Sequence, residues 1–213
     1  MFIAVGFDPV ATGNVASLAR PDGRVTGVTA QQSELPAKRL ELLKELLLPS
    51  AIEGGGVHKR TNLGTARVAA GYGQTTGLPL HVVDFKHPPF DYDAGFADAL
   101  RAKVDALFVL GSGLWVPARR EIIERALEAR LPSVFHHSQW AEAGGLMSYG
   151  FSFPWMWRRG AEMVAAILRG AKAGDIPMEQ PTTYELAINA KTAKALGVTI
   201  PPALLARTDN VIE

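Results

Sequence analysis

The strongest constraint on the fold is an alternation of short apolar runs with longer amphipathic stretches along the chain. The short runs have the length of buried strands, and the longer stretches carry apolar residues at helical spacing. The stretch 34–48 is the clearest helix, because Leu35, Leu42 and Leu46 fall on one side and Pro49 ends it. Strands that alternate with helices predict an α/β fold around a mainly parallel sheet.

The same periodicity predicts the limits of the strands and helices. Strands are predicted at 2–6, 24–29, 80–85, 106–110, 133–136, 146–149 and 184–189. Helices are predicted at 34–48, 64–72, 94–104, 117–130, 139–143, 155–168 and 191–196. Asp8 is expected to cap a short helix at Pro9, and Ser138 to cap the helix 139–143. Residues 200–213 read as a tail that starts with a proline pair.

Composition narrows the function. The chain has 213 residues, 47% of them hydrophobic, enough for a substantial core. With 22 basic and 21 acidic residues and no basic stripe, a nucleic-acid partner is not expected. The absence of cysteine excludes disulfides and thiolate metal sites. The first residues lack the features of a signal peptide, and no apolar run approaches the ~20 residues that span a bilayer.

Ligands of open parallel sheets bind beyond the carboxyl ends of the strands. This rule selects the loops 7–13, 111–115 and 136–140. Asp8 is predicted either to contact an amino group or only to cap its helix. Trp115 and Trp140 are predicted to stack on a ring or an apolar side chain. The other candidate ligand-binding residues in these loops are Gly13, Ser112, Gly113, His137 and Ser138.

Two motifs are weighed against simpler interpretations. The glycines at 111 and 113 lack the third glycine of a dinucleotide fingerprint, so a tight turn beside a cleft is the better interpretation. His136 and His137 end a strand, so their side chains are expected on opposite faces, one packed and one facing the cleft. Zinc or catalysis would need a further ligand or an adjacent nucleophile at suitable spacing, and none is evident.

Several segments together resemble a known family. They are, in chain order, VASLARPDGRV (15–25), KRLELLKEL (38–46), EAGGLMSYG (142–150), YELAIN (184–189), KTAKALG (191–197) and IPPALLAR (200–207). They resemble ABC-transporter substrate-binding proteins with a type I periplasmic-binding fold, some of which bind aromatic amino acids. The segments cover most of the chain in the order that this family has.

The resemblance implies two α/β lobes joined by three crossovers, with the second lobe largely complete and the first mostly missing. The implied division is 1–30, a remnant of the first lobe and a crossover; 31–148, the ligand-binding second lobe; 149–178, a crossover and returning helix; and 179–213, the C-terminal strand, helix and tail. Tyr149 would flank the cleft.

The implied function is to bind a small solute, an amino acid or related carboxylate, with no cofactor, no metal and no chemical step. The partners would be an ABC permease and its ATPase subunits. The location would be periplasmic, or extracytoplasmic with a lipid anchor.

Two departures from the family stand out. The signal and most of the first lobe are not seen, so the chain alone is expected to bind its ligand weakly or not at all. The aromatic segment 151–157 at the hinge would then be exposed or buried in a homodimer. Residues 53–62 stand where the family has an apolar strand, and we hypothesise a local frameshift there, with a surface insertion as the alternative.

Three other functions remain open. One is a hydrolase-type enzyme on a doubly wound sheet that uses Asp8, His137 and Ser138. Another is a ligand-sensing regulatory domain, which would need a DNA-binding head. The third is a truncated gene product without a function.

Overall fold

The computed structural model describes residues 2–5, 8–30, 35–47, 80–83, 85, 89–111 and 113–213. The chain divides into two compact units, which we name unit 1 (residues 1–32 and 151–184) and unit 2 (residues 33–150 and 185–213). The predicted helix 64–72, the frameshift hypothesis for 53–62 and the candidate residue Ser112 all lie outside the described residues.

The strands are β1 (Phe2–Val5), β2 (Thr26–Thr29), β3 (Leu107–Phe108), β4 (Ser133–Phe135), β5 (Met147–Phe151), β6 (Tyr184–Asn189) and β7 (Asn210–Ile212). The helices are α1 (Leu35–Leu47), α2 (Tyr92–Arg101), α3 (Arg119–Glu128), α4 (Ser138–Glu142), α5 (Phe153–Leu168), α6 (Ala190–Leu196) and α7 (Pro202–Leu205). Two 3-10 turns, Gly113–Trp115 and Ala173–Asp175, complete the regular structure of the described segments. None of these helices has an apolar stretch long enough to cross a bilayer.

Unit 1 is built on two parallel strands and one long helix. β1 and β2 pair in parallel, and α5 packs on both of them. The buried side of α5 brings Met156 and Met163 against Val28 of β2. Glu179 extends β2 through two backbone hydrogen bonds, and its carboxylate accepts from Arg159 of α5 at 2.5 Å. The strand pair therefore has one helix fixed on it by both apolar and ionic contacts.

Unit 2 is a five-stranded sheet in the order β3-β4-β5-β6-β7. The β3–β4, β4–β5 and β6–β7 pairs are parallel. The leucines of α1 bury against Val134, Met147 and Ile188 of the central strands. A second cluster, on α3 and α4, contains Trp115, Ile122, Ile123, Phe135 and Trp140. These layers place the carboxyl ends of β3, β4 and β5 at one edge of the sheet, since parallel strands end on the same side.

Four local predictions are wrong. Residues 9–13 form a single turn after Asp8 and not a helix, because too few residues follow to propagate one. The described residues 80–83 do not form the expected strand. Ser138 is the first helical residue of α4 and not its cap, since His137 takes the cap position without a side-chain hydrogen bond. The expected tail contains α7 and the short edge strand β7.

Candidate functional site

The carboxyl ends of β3, β4 and β5 collect most of the candidate residues of unit 2. β3 leads through Gly111 into the turn Gly113–Trp115, and β4 leads through His136 and His137 into α4. Tyr149 and Gly150 lie near the end of β5. The sequence rule that selected these loops therefore agrees with the topology of unit 2, whereas the ligand contacts of the individual residues stay predictions.

Arg39 is a feature of this edge that sequence reasoning missed as a site residue. Its side chain is 0% exposed, and its Nε donates a hydrogen bond to the carbonyl oxygen of Tyr149 at 2.6 Å. Neither Nη1 nor Nη2 has a hydrogen-bond partner within the described part of the chain. Burial lowers the pKa of Arg39 to about 9, a shift that the nearby Tyr149 partly opposes. The guanidinium is thus buried and still charged at neutral pH.

A sequence signal for this residue existed. Arg39 lies four positions after Leu35 and three before Leu42, so it falls on the apolar side of α1. A charged residue on the buried side of a helix must find a partner or bear a desolvation cost.

His136 and His137 contact each other, and the prediction that they point to opposite faces is wrong. Their ring centroids are 4.6 Å apart in an edge-to-face arrangement, because β4 ends at Phe135 and the pleat does not extend to them. Both are buried. Burial lowers the pKa of His136 well below 6.5, and the charges of His137 and Arg39 lower it further. His136 is therefore neutral at physiological pH.

Gly150 allows β5 to run unusually close to the residues that follow β4. A Cβ at this position would lie 1.8 Å from the carbonyl oxygen of His136 and 3.3 Å from Nδ1 of His137. No side chain fits at the first distance, so only glycine allows β5 to approach the end of β4 this closely. This close approach brings Tyr149, the residue before Gly150, near His136 and His137.

The predicted stacking residues are packed against the protein's own rings. Trp140 stacks on Phe135 with centroids 4.7 Å apart, and His136 lies 5.3 Å away. Trp115 is buried among Phe85, Phe90 and Tyr92, with centroid separations of 5.1 to 6.4 Å. Both tryptophans thus have a structural role in the aromatic cluster of unit 2, and a contact with a ligand ring stays a prediction for each.

Asp8 and Gly13 lie in unit 1, at either end of one turn. The Asp8 Oδ1 accepts hydrogen bonds from the backbone N–H groups of Val10 and Ala11 at 2.9 and 3.1 Å. Gly13 closes the turn with a φ of +72°, in the left-handed region that favours glycine. The capping role foreseen for Asp8 is therefore present, although it caps a turn and not a helix.

A groove of about 710 Å³ lies on the surface of unit 2, between α3 and α4. Its lining mixes charged and apolar side chains, from Arg119, Arg120, Ile123, Glu124, Leu127, Gln139, Glu142 and Ala143. Of the candidate loops only 136–140 contributes to it, through Gln139. Across the described ranges there is no group of three or more His, Asp or Glu side chains that could hold a metal ion.

Solved structures show the fold to which this arrangement belongs. A conserved domain protein from Vibrio cholerae superposes with a TM-score of 0.79 at 27% identity, covering 96% of this chain and 68% of that one. An ABC domain from Streptococcus pneumonia in complex with L-Trp gives a TM-score of 0.81 at 24% identity, covering 99% and 71%. The fold is that of the α/β, type I periplasmic-binding class, as the sequence predicted.

The family follows from the sequence itself. A family model described as "ABC transporter substrate binding protein" matches residues 1–212, and the chain belongs to this family. The chain is also 27% identical over 190 residues to a tyrosine-binding protein of Clostridioides difficile, a match that covers 89% of this chain and 54% of the relative. The chain thus spans about half the length of that curated relative.

Proposed function

We propose that this chain binds an amino acid, with L-tyrosine as the first candidate, as the solute-binding component of an ABC transporter. The observation that carries the proposal is the 27% identity to a tyrosine-binding protein, within a family match over residues 1–212. The pneumococcal neighbour in complex with L-Trp supports the fold alone, because its identity is 24%.

The carboxyl edge of unit 2 suits such a ligand. A zwitterionic aromatic amino acid needs polar groups for its charged end and apolar surface for its ring. This edge contains a buried guanidinium at Arg39 and the half-buried Tyr149, and the ring cluster of Phe135 and Trp140 packs directly behind His136. We assign ligand contacts at this edge to Gly113, Trp115, His137, Ser138, Trp140 and Tyr149, and in unit 1 to Asp8 and Gly13. Ser112, which lies outside the described residues, is assigned a ligand contact from the sequence alone.

Binding without catalysis is part of the proposal. The family is one of substrate-binding proteins. The permease, the ATPase subunits and an extracytoplasmic location belong to the proposal through the same membership.

A homodimer through α5 is the remaining partner proposal. Trp157, Val164 and Leu168 recur at helical spacing along an exposed flank of α5, and they are 59%, 38% and 82% exposed. Large exposed apolar side chains in one row favour contact with a second copy of the chain. Trp157→Lys should convert a dimer to a monomer in light-scattering measurements, and Leu205→Lys, on α7, is the matched control. A monomeric wild-type chain contradicts this part of the proposal.

The test of amino-acid binding must detect weak affinity. The isotope-labelled chain is titrated with L-tyrosine, L-tryptophan, L-leucine and L-glutamate up to the low millimolar solubility range, and amide shifts are followed by NMR. We expect saturable shifts with the aromatic ligands, concentrated in the residues after β3, β4 and β5. If no amino acid gives saturable shifts, the proposal that this chain by itself binds an amino acid is wrong. If L-leucine or L-glutamate saturates and the aromatic ligands do not, the function holds with a different side-chain preference.

A further inference from the structure

Arg39 is a buried cation that lacks a carboxylate partner among the described residues. No ion pair to its guanidinium occurs among the described residues, and the one hydrogen bond that the side chain makes is to an uncharged backbone carbonyl. His136, whose pKa is lowered by burial and by the positive charge of Arg39, is neutral at physiological pH and supplies no counter-charge. A guanidinium carries five N–H donors, and the donors on both Nη atoms are left without acceptors.

A purely structural role explains only part of this arrangement. The Nε–H bond to Tyr149 ties α1 to the end of β5, and one donor is sufficient for that tie. Buried polar groups without partners are rare in native proteins, and each one calls for a specific explanation. A fully buried charge is costlier still, since the cost of taking it out of water is recovered only through a counter-charge and hydrogen bonds.

The geometry of the free donors defines what would satisfy them. With Nε–H directed at the Tyr149 carbonyl, the end of the guanidinium formed by Nη1 and Nη2 presents two parallel N–H groups. That fork matches the two oxygens of a carboxylate, which it binds through two charge-assisted hydrogen bonds. The position matches as well, because Tyr149 lies near the carboxyl end of β5, where ligands of parallel sheets bind.

We propose that the Nη1 and Nη2 donors of Arg39, held in place by the carbonyl of Tyr149, receive the carboxylate of the bound solute. This inference rests on the proposed function and names the group that recognises the charged end of the ligand. Because Arg39 is 0% exposed in this structure, a ligand reaches it only after the surrounding side chains move. Association is therefore expected to be slower than a rigid, open site would allow.

The test compares two ligands on three forms of the chain. L-tyrosine and L-tyrosinamide differ only in the carboxylate, which the amide replaces with a neutral group. The wild-type chain should prefer L-tyrosine by about 10- to 100-fold, as expected for charge-assisted hydrogen bonds in a buried site. Arg39→Gln should bind both ligands with equal affinity. Lys38→Gln is the matched control, since it removes a positive charge from the adjacent, exposed position and should keep the full preference.

The outcomes separate this inference from the proposed function. If the wild-type chain prefers L-tyrosine and Arg39→Gln keeps that preference, Arg39 does not bind the carboxylate, and the proposed function stands. If the wild-type chain binds neither ligand, the proposed function fails, and this inference fails with it. Equal binding of both ligands by the wild-type chain overturns the inference alone.

If Arg39→Gln does not fold, a second measurement tests whether Arg39 binds the carboxylate of the ligand. The guanidinium NMR signals of the wild-type chain are assigned by comparison with Arg39→Lys and followed during both titrations. Saturable shifts of the Arg39 Nη signals with L-tyrosine and not with L-tyrosinamide support the inference. Unchanged Nη signals at saturating L-tyrosine overturn it.

Discussion

Replacing Arg39 by methionine should stabilise the ligand-free chain. Methionine fills a similar length with apolar atoms, and exchanging a buried charge for a hydrophobic side chain of similar volume is often neutral or stabilising. Burial is the main cause that lowers the pKa of Arg39 from its ordinary value to about 9. That difference of about 3.5 corresponds to about 5 kcal/mol against the charged, folded form, at about 1.4 kcal/mol for each tenfold change.

Part of this gain is lost with the hydrogen bond to Tyr149. A hydrogen bond from a charged donor contributes about 1.5–3 kcal/mol, so the net stabilisation from Arg39→Met is about 2–3.5 kcal/mol at pH 7. The effect depends on pH with a definite sign. Below about pH 9 both the folded and the unfolded chain keep the Arg39 proton, and the full penalty acts. Above that pH the folded chain releases the proton before the unfolded chain does. The free energy of unfolding of the wild-type chain therefore rises relative to that of Arg39→Met as the pH increases.

The assay is urea unfolding followed by circular dichroism, at pH 7 and pH 9.5, with Lys38→Met as the matched control at an exposed site of α1. Arg39→Met should raise the midpoint at pH 7, and the gap to wild type should narrow at pH 9.5. L-tyrosine near its solubility limit should narrow this gap, because only the wild-type chain offers the ligand a counter-charge. A lower midpoint for Arg39→Met at pH 7 without ligand would refute this reasoning.

Three further substitutions test the local geometry by the same unfolding assay. Gly150→Ala should lower the free energy of unfolding by about 1–3 kcal/mol or more, because its Cβ would meet a backbone oxygen at 1.8 Å. Gly113→Ala is the control, since a Cβ there has open space and the free energy should change by less than about 1 kcal/mol. Asn189→Ala should lose about 1–3 kcal/mol, since its amide makes two hydrogen bonds of 2.9 Å to the backbone of α4 and α6. Asp8→Ala should cost about 1 kcal/mol through its turn, and no loss would show that the cap is not formed in solution.

The sequence predicted the limits of helices and strands best where the apolar pattern repeats over many residues. The helix predicted at 34–48 is α1, Leu35–Leu47, and the strand 184–189 is β6 with the same limits. Apolar side chains repeated over several turns fix a buried face, and tertiary packing then agrees with the local preference. β7 was missed because its three residues, Asn210–Ile212, are too few to show alternation, and its pairing with β6 comes from tertiary contact.

The sequence predicted which loops lie at the candidate site better than it predicted the contacts of the individual side chains. The rule about strand ends selected the segments around Gly113 and His137, and the structure puts both after strands of one sheet. It could not find Arg39, whose position near Tyr149 depends on a packing contact between residues 110 positions apart. It also could not foresee that Trp140 stacks on Phe135, since that contact depends on the geometry of α4.

The last strand, β7, has a practical consequence for handling the protein. β7 is mostly exposed, yet it covers the outer edge of β6, and the Asp209 carboxylate accepts the backbone N–H of Leu186 beside it. Cutting the chain before Asp209 would uncover a row of unpaired N–H and C=O groups on a strand rich in apolar residues, the kind of edge on which chains join and precipitate. Trimming the last few residues is therefore a route to aggregation, and affinity tags are better joined after Glu213 than substituted for this strand.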